Sequence, residues 1–425
     1  MKTSKHMKPK GDKTAKKKVS ANHFDEPLAV IEYEEEPKKS RFSVEETVKI
    51  PKAVYRIGLI LTVAVLALAV WLNRENLKPQ NVKTWFMHQL KGDEVIEGFP
   101  VAIKGNQVEE GNFMSSLGNC AILSDTALTV LDSEGSQISY TRHSFANPAL
   151  KTAGGYHLIY NAGLEGYLLG SGNDILLEKE ADSKIYFADV AQNGTFALGL
   201  QGEEYASQLQ VLKKDGTLIY KFSFADGYAN AVSINSTGTM GAVSTLGSEG
   251  GTLYSKIIIL DFSKNEPVLE YDLKDNMVID LFWSESGQVL AVGDNFAARL
   301  STKQSEMQEY NFDEQQLTAY AVSSGKLFVG LSKYKYGGSG KVMIIDDSAV
   351  EAQTIELENR VLSLSSYGST LGILTNEEMH FYDSVTQQEQ KKIEVGSDTR
   401  AIVMENESKV YTLGASEIKK LDVNQ

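Results

Sequence analysis

The sequence predicts an all-β protein whose main domain is a β-propeller, with eight four-stranded blades. A turn glycine followed two residues later by an apolar strand, as in NGTFALG and SGQVLAV, recurs at intervals of 36 to 49 residues. Most copies are followed by another strand that ends in aspartate, and one more strand usually comes after it. Several short strands in a repeat of about 40 residues are typical of propeller blades.

The repeated glycine marks the turn between the first two strands of each blade, because glycine adopts a positive φ without a steric cost. The glycines are Gly118, Gly154, Gly194, Gly238, Gly287, Gly325 and Gly368, and Ser408 takes this place in an eighth copy. The repeated aspartate can accept hydrogen bonds from its own backbone in a later turn. It occurs at Asp132, Asp215, Asp261, Asp346, Asp383 and Asp422. Eight copies predict eight blades, and seven is the alternative if the copy around Gly154 belongs to an irregular blade.

The last copy ends after three strands, AIVMEN, KVYTLGA and EIKKLD, so its blade lacks an outer strand. The stretch GFPVAIKG, residues 98–105, lies before the first full blade and has no blade of its own. An unpaired outer edge would promote aggregation. We therefore predict that strand 99–104 completes the last blade and closes a propeller that spans residues 98–425.

Three segments are predicted before the propeller. They are a disordered cytoplasmic tail at residues 1–52, a transmembrane signal-anchor helix at 53–73, and a juxtamembrane linker with a short amphipathic helix at 74–97. Residues 57–72 carry no charge, and with residues 53–55 they are long enough for a bilayer core of about 30 Å. A cleaved signal peptide ending at ALA, residues 67–69, is one alternative, and a buried core helix is another.

The charge distribution predicts the orientation of this span. Residues 1–56 contain 14 Lys and Arg against 9 Asp and Glu, and few basic residues follow the span closely. The positive-inside rule then places the N-terminus in the cytoplasm and residues 74–425 outside. We expect a single-pass protein of the cell membrane that contacts the lipid bilayer through residues 53–73. The exported part is acidic, which argues against a nucleic-acid partner.

The sequence lacks the patterns of the common propeller enzymes. Its single cysteine, Cys120, excludes an internal disulfide and the vicinal cysteine pair of many quinoprotein dehydrogenases, and three tryptophans are too few for their docking motifs. The histidines His143, His157 and His380 occur singly, without the spacing of metal ligands. No D-x-D-x-D-G calcium loop is present. We therefore expect no enzymatic activity, no cofactor and no metal.

Three hairpins between the second and third strands of a blade are long, at residues 201–208, 245–256 and 332–341. Equivalent loops of a propeller emerge on one face, so we expect these three to rise close together and bind a partner. Tyrosine offers a large contact area at a small entropic cost. The candidate binding residues are Glu203, Glu204, Tyr205, Glu249, Tyr254, Lys333, Tyr334, Lys335 and Tyr336. Surface insertions without a function are the alternative.

The chain also resembles an uncharacterised family of membrane-anchored β-propellers from Gram-positive bacteria. The resemblance is carried by VKTWFMHQL, GFPVAI, NPALKTAGGYHLIYNAG and SKIIILDFSKNEPV, and covers roughly residues 81–425. It implies an exported propeller with a signal anchor. Because the function of that family is unknown, the resemblance implies no catalytic or ligand-binding residues.

Together these observations predict a membrane-anchored extracytoplasmic propeller that acts as a binding or scaffold module. Its expected partner is an envelope protein or a wall-associated ligand. One alternative is an extracytoplasmic hydrolase or lactonase with its site in the central channel. Another is a signalling protein that relays an external ligand to the cytoplasmic tail.

Overall fold

The computed structural model describes residues 98–334, 337–376 and 378–424, and within these residues the fold is an eight-bladed propeller. Its 32 strands form eight four-stranded antiparallel sheets. The described residues include no helix with the length and apolar character of a membrane span. The predicted tail, anchor helix and linker, residues 1–97, lie outside the described residues.

The blades follow one another along the chain, and each is built from consecutive strands except the last. Blade 1 contains β2 (Val108–Ser116), β3 (Asn119–Ser124), β4 (Ala127–Leu131) and β5 (Gln137–Arg142). Blade 2 contains β6 (Pro148–Ala153), β7 (Tyr156–Asn161), β8 (Gly166–Ser171) and β9 (Asp174–Glu180). Blade 3 contains β10 (Ile185–Val190), β11 (Phe196–Gln201), β12 (Ser207–Leu212) and β13 (Leu218–Phe224). Blade 4 contains β14 (Tyr228–Ile234), β15 (Met240–Glu249), β16 (Thr252–Asp261) and β17 (Leu269–Lys274).

The second half of the ring repeats this arrangement. Blade 5 contains β18 (Val278–Trp283), β19 (Gln288–Gly293), β20 (Phe296–Ser301) and β21 (Met307–Asn311). Blade 6 contains β22 (Gln316–Ser323), β23 (Lys326–Ser332), β24 (Gly340–Asp346) and β25 (Gln353–Leu357). Blade 7 contains β26 (Ser363–Tyr367), β27 (Thr370–Leu374), β28 (Glu378–Asp383) and β29 (Glu389–Glu394). Blade 8 contains β30 (Ala401–Asn406), β31 (Lys409–Leu413), β32 (Glu417–Asp422) and, from the other end of the domain, β1 (Val101–Ala102).

The prediction of eight blades is confirmed, because the copy around Gly154 belongs to a regular four-stranded sheet. Gly154 has a φ of +55°, and a Cβ atom there would lie 2.3 Å from the carbonyl oxygen of Gln192 in the next blade. The repeated aspartates cap the turns that follow the third strands of their blades. Asp383 Oδ1, for example, accepts hydrogen bonds from the backbone of Val385 at 3.0 Å and of Thr386 at 2.7 Å.

The core lies between neighbouring blades. The second strand of each blade is covered on both faces by adjacent sheets, which is why its sequence is a continuous apolar run rather than an alternating one. Each such side chain stabilises the fold by about 1.5–3 kcal/mol when it is fully buried. Cys120 belongs to this core, and burial raises the pKa of its thiol, which keeps it protonated and unreactive.

Side chains on the innermost strands also tie neighbouring blades together. Asn112 Oδ1 accepts a hydrogen bond from Leu150 N at 2.9 Å, and Ser365 Oγ accepts one from Met404 N at 2.8 Å. These bonds satisfy backbone amides that have no partner within their own sheet. They hold the first strands of neighbouring blades in fixed positions relative to one another around the central channel.

Strand β1 forms the outer edge of blade 8, where it pairs antiparallel with β32. Val101 lies opposite Ile418 and Ala102 opposite Glu417, and Ile103 N extends the ladder by donating to Ser416 O at 3.0 Å. The strand is shorter than the predicted 99–104, but it occupies the predicted position. The two ends of the domain therefore meet in one sheet.

Candidate functional site

One face of the propeller carries all the hairpins between second and third strands. Because the strands of every blade are antiparallel, these hairpins emerge at the same end as the connections that lead from one blade to the next. We call this surface the loop face. The turns between strands one and two, and between strands three and four, emerge on the opposite face.

A shallow cleft of about 410 Å³ opens on the loop face at blade 3. It is lined by Asp182, Ser183, Gln201, Glu203, Glu204, Tyr205, Gln208, Lys221 and Ser223. Its residues come from the connection between blades 2 and 3, from the hairpin between β11 and β12, and from the outer strands β12 and β13. Three of the nine candidate residues, Glu203, Glu204 and Tyr205, are thus brought together here.

Hydrogen bonds shape this cleft before any partner binds. Ser183 Oγ donates to Gln201 O at 2.7 Å, and Gln208 Nε2 donates to Ser223 Oγ at 3.4 Å. The hairpin is tight at Gly202, where a Cβ atom would lie 2.0 Å from the carbonyl oxygen of Tyr205. Only a glycine fits at this position, so the cleft wall depends on it.

The surface of the cleft is acidic and carries an exposed aromatic ring. Asp182, Glu203 and Glu204 contribute three carboxylates, whereas Lys221 contributes one ammonium group. The Tyr205 side chain is 51% exposed. Such a surface suits a partner that brings basic or hydrogen-bond-donating groups.

The prediction of a long loop at residues 245–256 is wrong. Strands β15 and β16 run on through this segment as a paired ribbon, and only Gly250 and Gly251, with φ of +60° and +87°, form its turn. Tyr254 is half-buried opposite Gly247, and a Cβ atom on Gly247 would collide with its ring. Tyr254 therefore packs within the ribbon, while Glu249 lies opposite Thr252 next to the turn.

The third predicted loop lies between β23, which ends at Ser332, and β24, which begins at Gly340. Ser332 Oγ lies 3.3 Å from Gly337 O and 3.2 Å from Ser339 O, which holds the base of the loop. Tyr334 is 58% exposed, and Lys333 Nζ lies 5.8 Å from the centre of its ring. Lys335 and Tyr336 lie outside the described residues. Among the described residues, neither this loop nor the ribbon contributes to the cleft of blade 3.

A second polar site, which the sequence analysis missed, lies on the innermost strands. Lys151 of β6, Asp189 of β10, Asp280 of β18 and Tyr320 of β22 are half-buried and act on one another electrostatically. A charged residue within a largely apolar first strand, as in KIYFADV and MVIDLFW, is the signal that could have revealed them. The four side chains come from the innermost strands of blades 2, 3, 5 and 6.

The channel cluster is stabilised by its own charges. Asp280, followed by Asp189, raises the pKa of Lys151, so this ammonium group stays protonated. Burial raises the pKa of Asp189 to about 6, although Lys151 and the amide of Ile234, which donates to it at 2.9 Å, oppose this shift. Burial, followed by Asp280, raises the pKa of Tyr320 to about 12, and Tyr320 donates to Asp280 at 3.3 Å. A protonated lysine of this kind can hold a charge but is not a nucleophile at neutral pH.

Within the described part of the chain, no three His, Cys, Asp or Glu side chains are grouped closely enough to hold a metal ion.

The propeller resembles several solved structures at low sequence identity. Sqt1 of Saccharomyces cerevisiae has a TM-score of 0.52 at 13% identity, covering 76% of this chain and 100% of its own. Apo AztD of Citrobacter koseri has a TM-score of 0.50 at 10% identity, covering 69% of this chain and 88% of its own. BamB of Moraxella catarrhalis has a TM-score of 0.48 at 11% identity, covering 77% and 97%. The first two likenesses show a shared fold.

No curated protein matches the sequence. A family model matches residues 95–423, which include the whole of the propeller as described except its last residue. The model is that of DUF5711, a family of unknown function. Since the match covers well over half of the chain, the protein belongs to the DUF5711 family.

Proposed function

We propose that this protein is a binding or scaffold module whose propeller engages a partner through its loop face. The observation that carries the proposal is the cleft of blade 3, where Glu203, Glu204 and Tyr205 line one open surface. The exposed ring of Tyr205 offers contact area, and the surrounding carboxylates offer charge. An enclosed pocket for a small substrate would instead bury most of its ligand.

The proposed setting is the envelope of a Gram-positive bacterium, with the propeller outside the cell membrane. Two features of the sequence support this setting: the uncharged segment at residues 57–72 and the excess of basic residues before it. The resemblance to membrane-anchored propellers agrees with them. The partner is then an envelope protein or a wall-associated ligand.

The acidic cleft narrows the chemistry of that partner. Its net negative surface favours lysine or arginine side chains of a protein, or amino groups of a polymer, over an anionic polymer. Removing one buried tyrosine from a binding centre typically costs on the order of 2 kcal/mol, roughly a thirtyfold loss of affinity. Tyr205 is therefore the residue whose removal tests the proposal most directly.

The experiment is crosslinking and affinity purification of the full-length protein from its own membrane. Tyr205→Ala should strongly reduce recovery of the partner, and Glu203→Gln with Glu204→Gln should weaken recovery and make it less sensitive to salt. Tyr367→Ala is the matched control, because Tyr367 is similarly exposed, at 47%, but lies on the opposite face. Tyr334→Ala tests whether the loop of blade 6 contributes as well.

All variants should keep the thermal stability of the wild type, since the replaced side chains lie on the surface. If Tyr205→Ala recovers the same partners as Tyr367→Ala at wild-type yield, the cleft is not the binding site. The hairpin at residues 201–208 would then be a surface insertion only.

A further inference from the structure

Side chains along the cleft of blade 3 form a hydrogen-bonded row. Gln210 Nε2 donates to Gln208 Oε1 at 3.0 Å and to Asp182 Oδ2 at 3.3 Å. Gln208 Nε2 donates in turn to Ser223 Oγ at 3.4 Å. Gln210 is only 7% exposed, so its amide is held within the blade and positions its two neighbours. We call these four residues the polar row, and three of them, Asp182, Gln208 and Ser223, line the cleft.

The polar row follows from the alternation of side chains along two paired strands. Gln208 lies opposite Ser223, and Gln210 lies opposite Lys221. Side chains two residues apart in a strand point to the same face of the sheet, so both glutamines of β12 share a face with Ser223 and Lys221. Leu209, between the two glutamines, points to the other face and is buried in the core between blades 3 and 4. The polar row is therefore fixed by the sheet rather than by a loop.

This row presents donors and acceptors side by side. Gln208 Nε2 has a second N–H besides the one that it donates to Ser223, and the Ser223 hydroxyl can donate while its oxygen accepts. Asp182 accepts from Gln210 at Oδ2 and has a second oxygen, Oδ1. A ligand that only donates would pair with the carboxylate and leave the N–H and O–H groups without acceptors, which costs free energy once water is excluded. A ligand whose groups both donate and accept fits the whole row.

The hydroxyl groups of a sugar ring have this property, because each of them can donate and accept hydrogen bonds. Tyr205 lines the same cleft and is 51% exposed. The face of its ring carries partial negative charge, against which the C–H groups of a sugar ring can pack. A lysine or arginine of a protein partner would use the carboxylates of the cleft but not the polar row. The cleft therefore fits a saccharide better than a basic peptide.

The charge of the cleft selects among saccharides. Asp182, Glu203 and Glu204 contribute more carboxylates than the single ammonium group of Lys221 can balance. An ammonium group on the ligand would form short, strong hydrogen bonds with them, whereas an anionic saccharide would be repelled. The cleft is open, and its volume of about 410 Å³ is small for a ligand pocket, so it admits a short stretch of a chain that continues beyond it.

We propose that the cleft of blade 3 binds an oligosaccharide that carries free amino groups. Gln208 and Ser223 bond to its hydroxyl groups, and Tyr205 packs against a sugar ring. The carboxylates of Glu203 and Glu204 pair with its ammonium groups. Such a ligand is a wall-associated polymer rather than an envelope protein, so the proposal rests on the binding function assigned to this cleft above.

The test is a calorimetric titration of the full-length protein in detergent with three oligomers of equal length, at a pH where their amino groups are protonated. The first is an oligomer of glucosamine. The second is an oligomer of N-acetylglucosamine, which keeps most of the hydroxyl groups and loses the charge. The third is an oligomer of lysine, which keeps the charge and has no hydroxyl groups. The glucosamine oligomer should bind to the wild type at least tenfold more tightly than either of the others.

Variants of the polar row should separate the two charged probes. Gln208→Met removes the hydrogen-bonding groups at nearly constant volume, so it should weaken binding of the glucosamine oligomer at least tenfold and leave binding of the lysine oligomer unchanged. Ser223→Ala should act in the same direction, and it keeps the test valid if Gln208→Met unfolds. Gln308→Met is the matched control, because Gln308 is a half-buried glutamine on the outer strand of blade 5. It should change neither affinity.

The proposal is overturned if the glucosamine oligomer binds no more tightly than either of the other two probes. It is equally overturned if Gln208→Met and Ser223→Ala weaken the glucosamine and lysine oligomers by the same factor, because the row would then only support the shape of the cleft. The crosslinking experiment is read separately. If Tyr205→Ala loses a protein partner there and the wild type binds no glucosamine oligomer, the cleft is a binding site for a protein and the saccharide is refuted.

Discussion

Replacing Lys420 by methionine tests the seam of the propeller, which is the contact between blades 8 and 1 where the ring closes. Lys420 Nζ lies 2.7 Å from Glu405 Oε2 within blade 8, and it donates to Ser133 O of blade 1 at 2.6 Å. It also lies 6.0 Å from the ring centre of Phe99 in the closing segment and 5.3 Å from that of Tyr411. One side chain thus joins the first blade, the last blade and the residues that precede β1.

The magnitude follows from the burial of this pair. The side chains of Lys420 and Glu405 are only 11% and 6% exposed. Removing one partner of a buried ion pair leaves the other charge uncompensated, which costs about 3–5 kcal/mol. Methionine keeps most of the apolar volume of the lysine chain, so packing is largely preserved. We therefore expect Lys420→Met to lower the free energy of unfolding by about 3–5 kcal/mol.

The loss should be recovered in part when Glu405 is also neutralised. Glu405→Gln can still accept the hydrogen bond that Tyr411 donates to Oε1 at 3.1 Å. The variant with both Lys420→Met and Glu405→Gln should be more stable than Lys420→Met alone, because no buried charge is left without a partner.

The assay is urea unfolding of each purified variant, followed by tryptophan fluorescence, with the midpoint and the m-value both fitted. Lys256→Met is the matched control. Its lysine pairs with Glu270 at 3.1 Å, but the two side chains are 33% and 46% exposed, so the loss should stay within about 1 kcal/mol. If Lys420→Met is no more destabilising than Lys256→Met at an unchanged m-value, the seam pair does not close the ring.

Three further predictions concern the channel, the repeated turns and the orientation in the membrane. Burial raises the pKa of Asp189 from 3.8 to about 6, so this group alone should lower the free energy of unfolding by about 3 kcal/mol as the pH rises from below 4 to above 6. Urea unfolding across this range should show that the stability of the wild type relative to Asp189→Asn falls by this amount, and a difference that does not change with pH would contradict the assignment. Gly154→Ala should lower the free energy of unfolding by more than about 2 kcal/mol in the same assay, because its Cβ atom would collide with the backbone of Gln192. Gly118 has open space around it, so Gly118→Ala should lower the free energy of unfolding by only about 1 kcal/mol. Protease added to intact, wall-stripped cells should digest residues 74–425, and full protection of the propeller would refute the predicted topology.

The blade architecture could be predicted because its signals are local. A glycine with positive φ, such as Gly154, and an aspartate that caps its own turn, such as Asp383, act within a few residues of themselves. The closing strand could be predicted from the same pattern, because the last copy lacks an outer strand and 98–105 lacks a blade. Local preference also explains why a long loop was wrongly predicted at residues 245–256. LGSEGGTLYS is polar and rich in glycine, yet pairing of Tyr254 with Lys274 on β17 extends the sheet into it.

The channel cluster could not be predicted, because its residues are far apart in the chain. Lys151 and Asp280 belong to different blades, and only the closure of the ring brings their charges close enough to act on each other. Sequence shows that each residue is unusual in its segment, but it gives no distance between them. In the cleft, by contrast, Glu203, Glu204 and Tyr205 are consecutive, so their proximity required no fold.

The two faces of the propeller differ in a way that connects its fold to its function. The repeated glycine and aspartate turns lie on the face opposite the loops, where nearly every blade uses the same short turn. The irregular features lie at the other end: the cleft hairpin, the ribbon of blade 4, the connection between β23 and β24, and the bulge of β2, where Val108 pairs with Ser124 and Phe113 with Ile122. A turn that only connects strands can be the same in every blade, because every blade presents it with the same geometry. A surface that binds one partner must differ from blade to blade, since no single repeat matches the whole of a partner. The departure from repetition on the loop face therefore supports this face as the one that binds the partner.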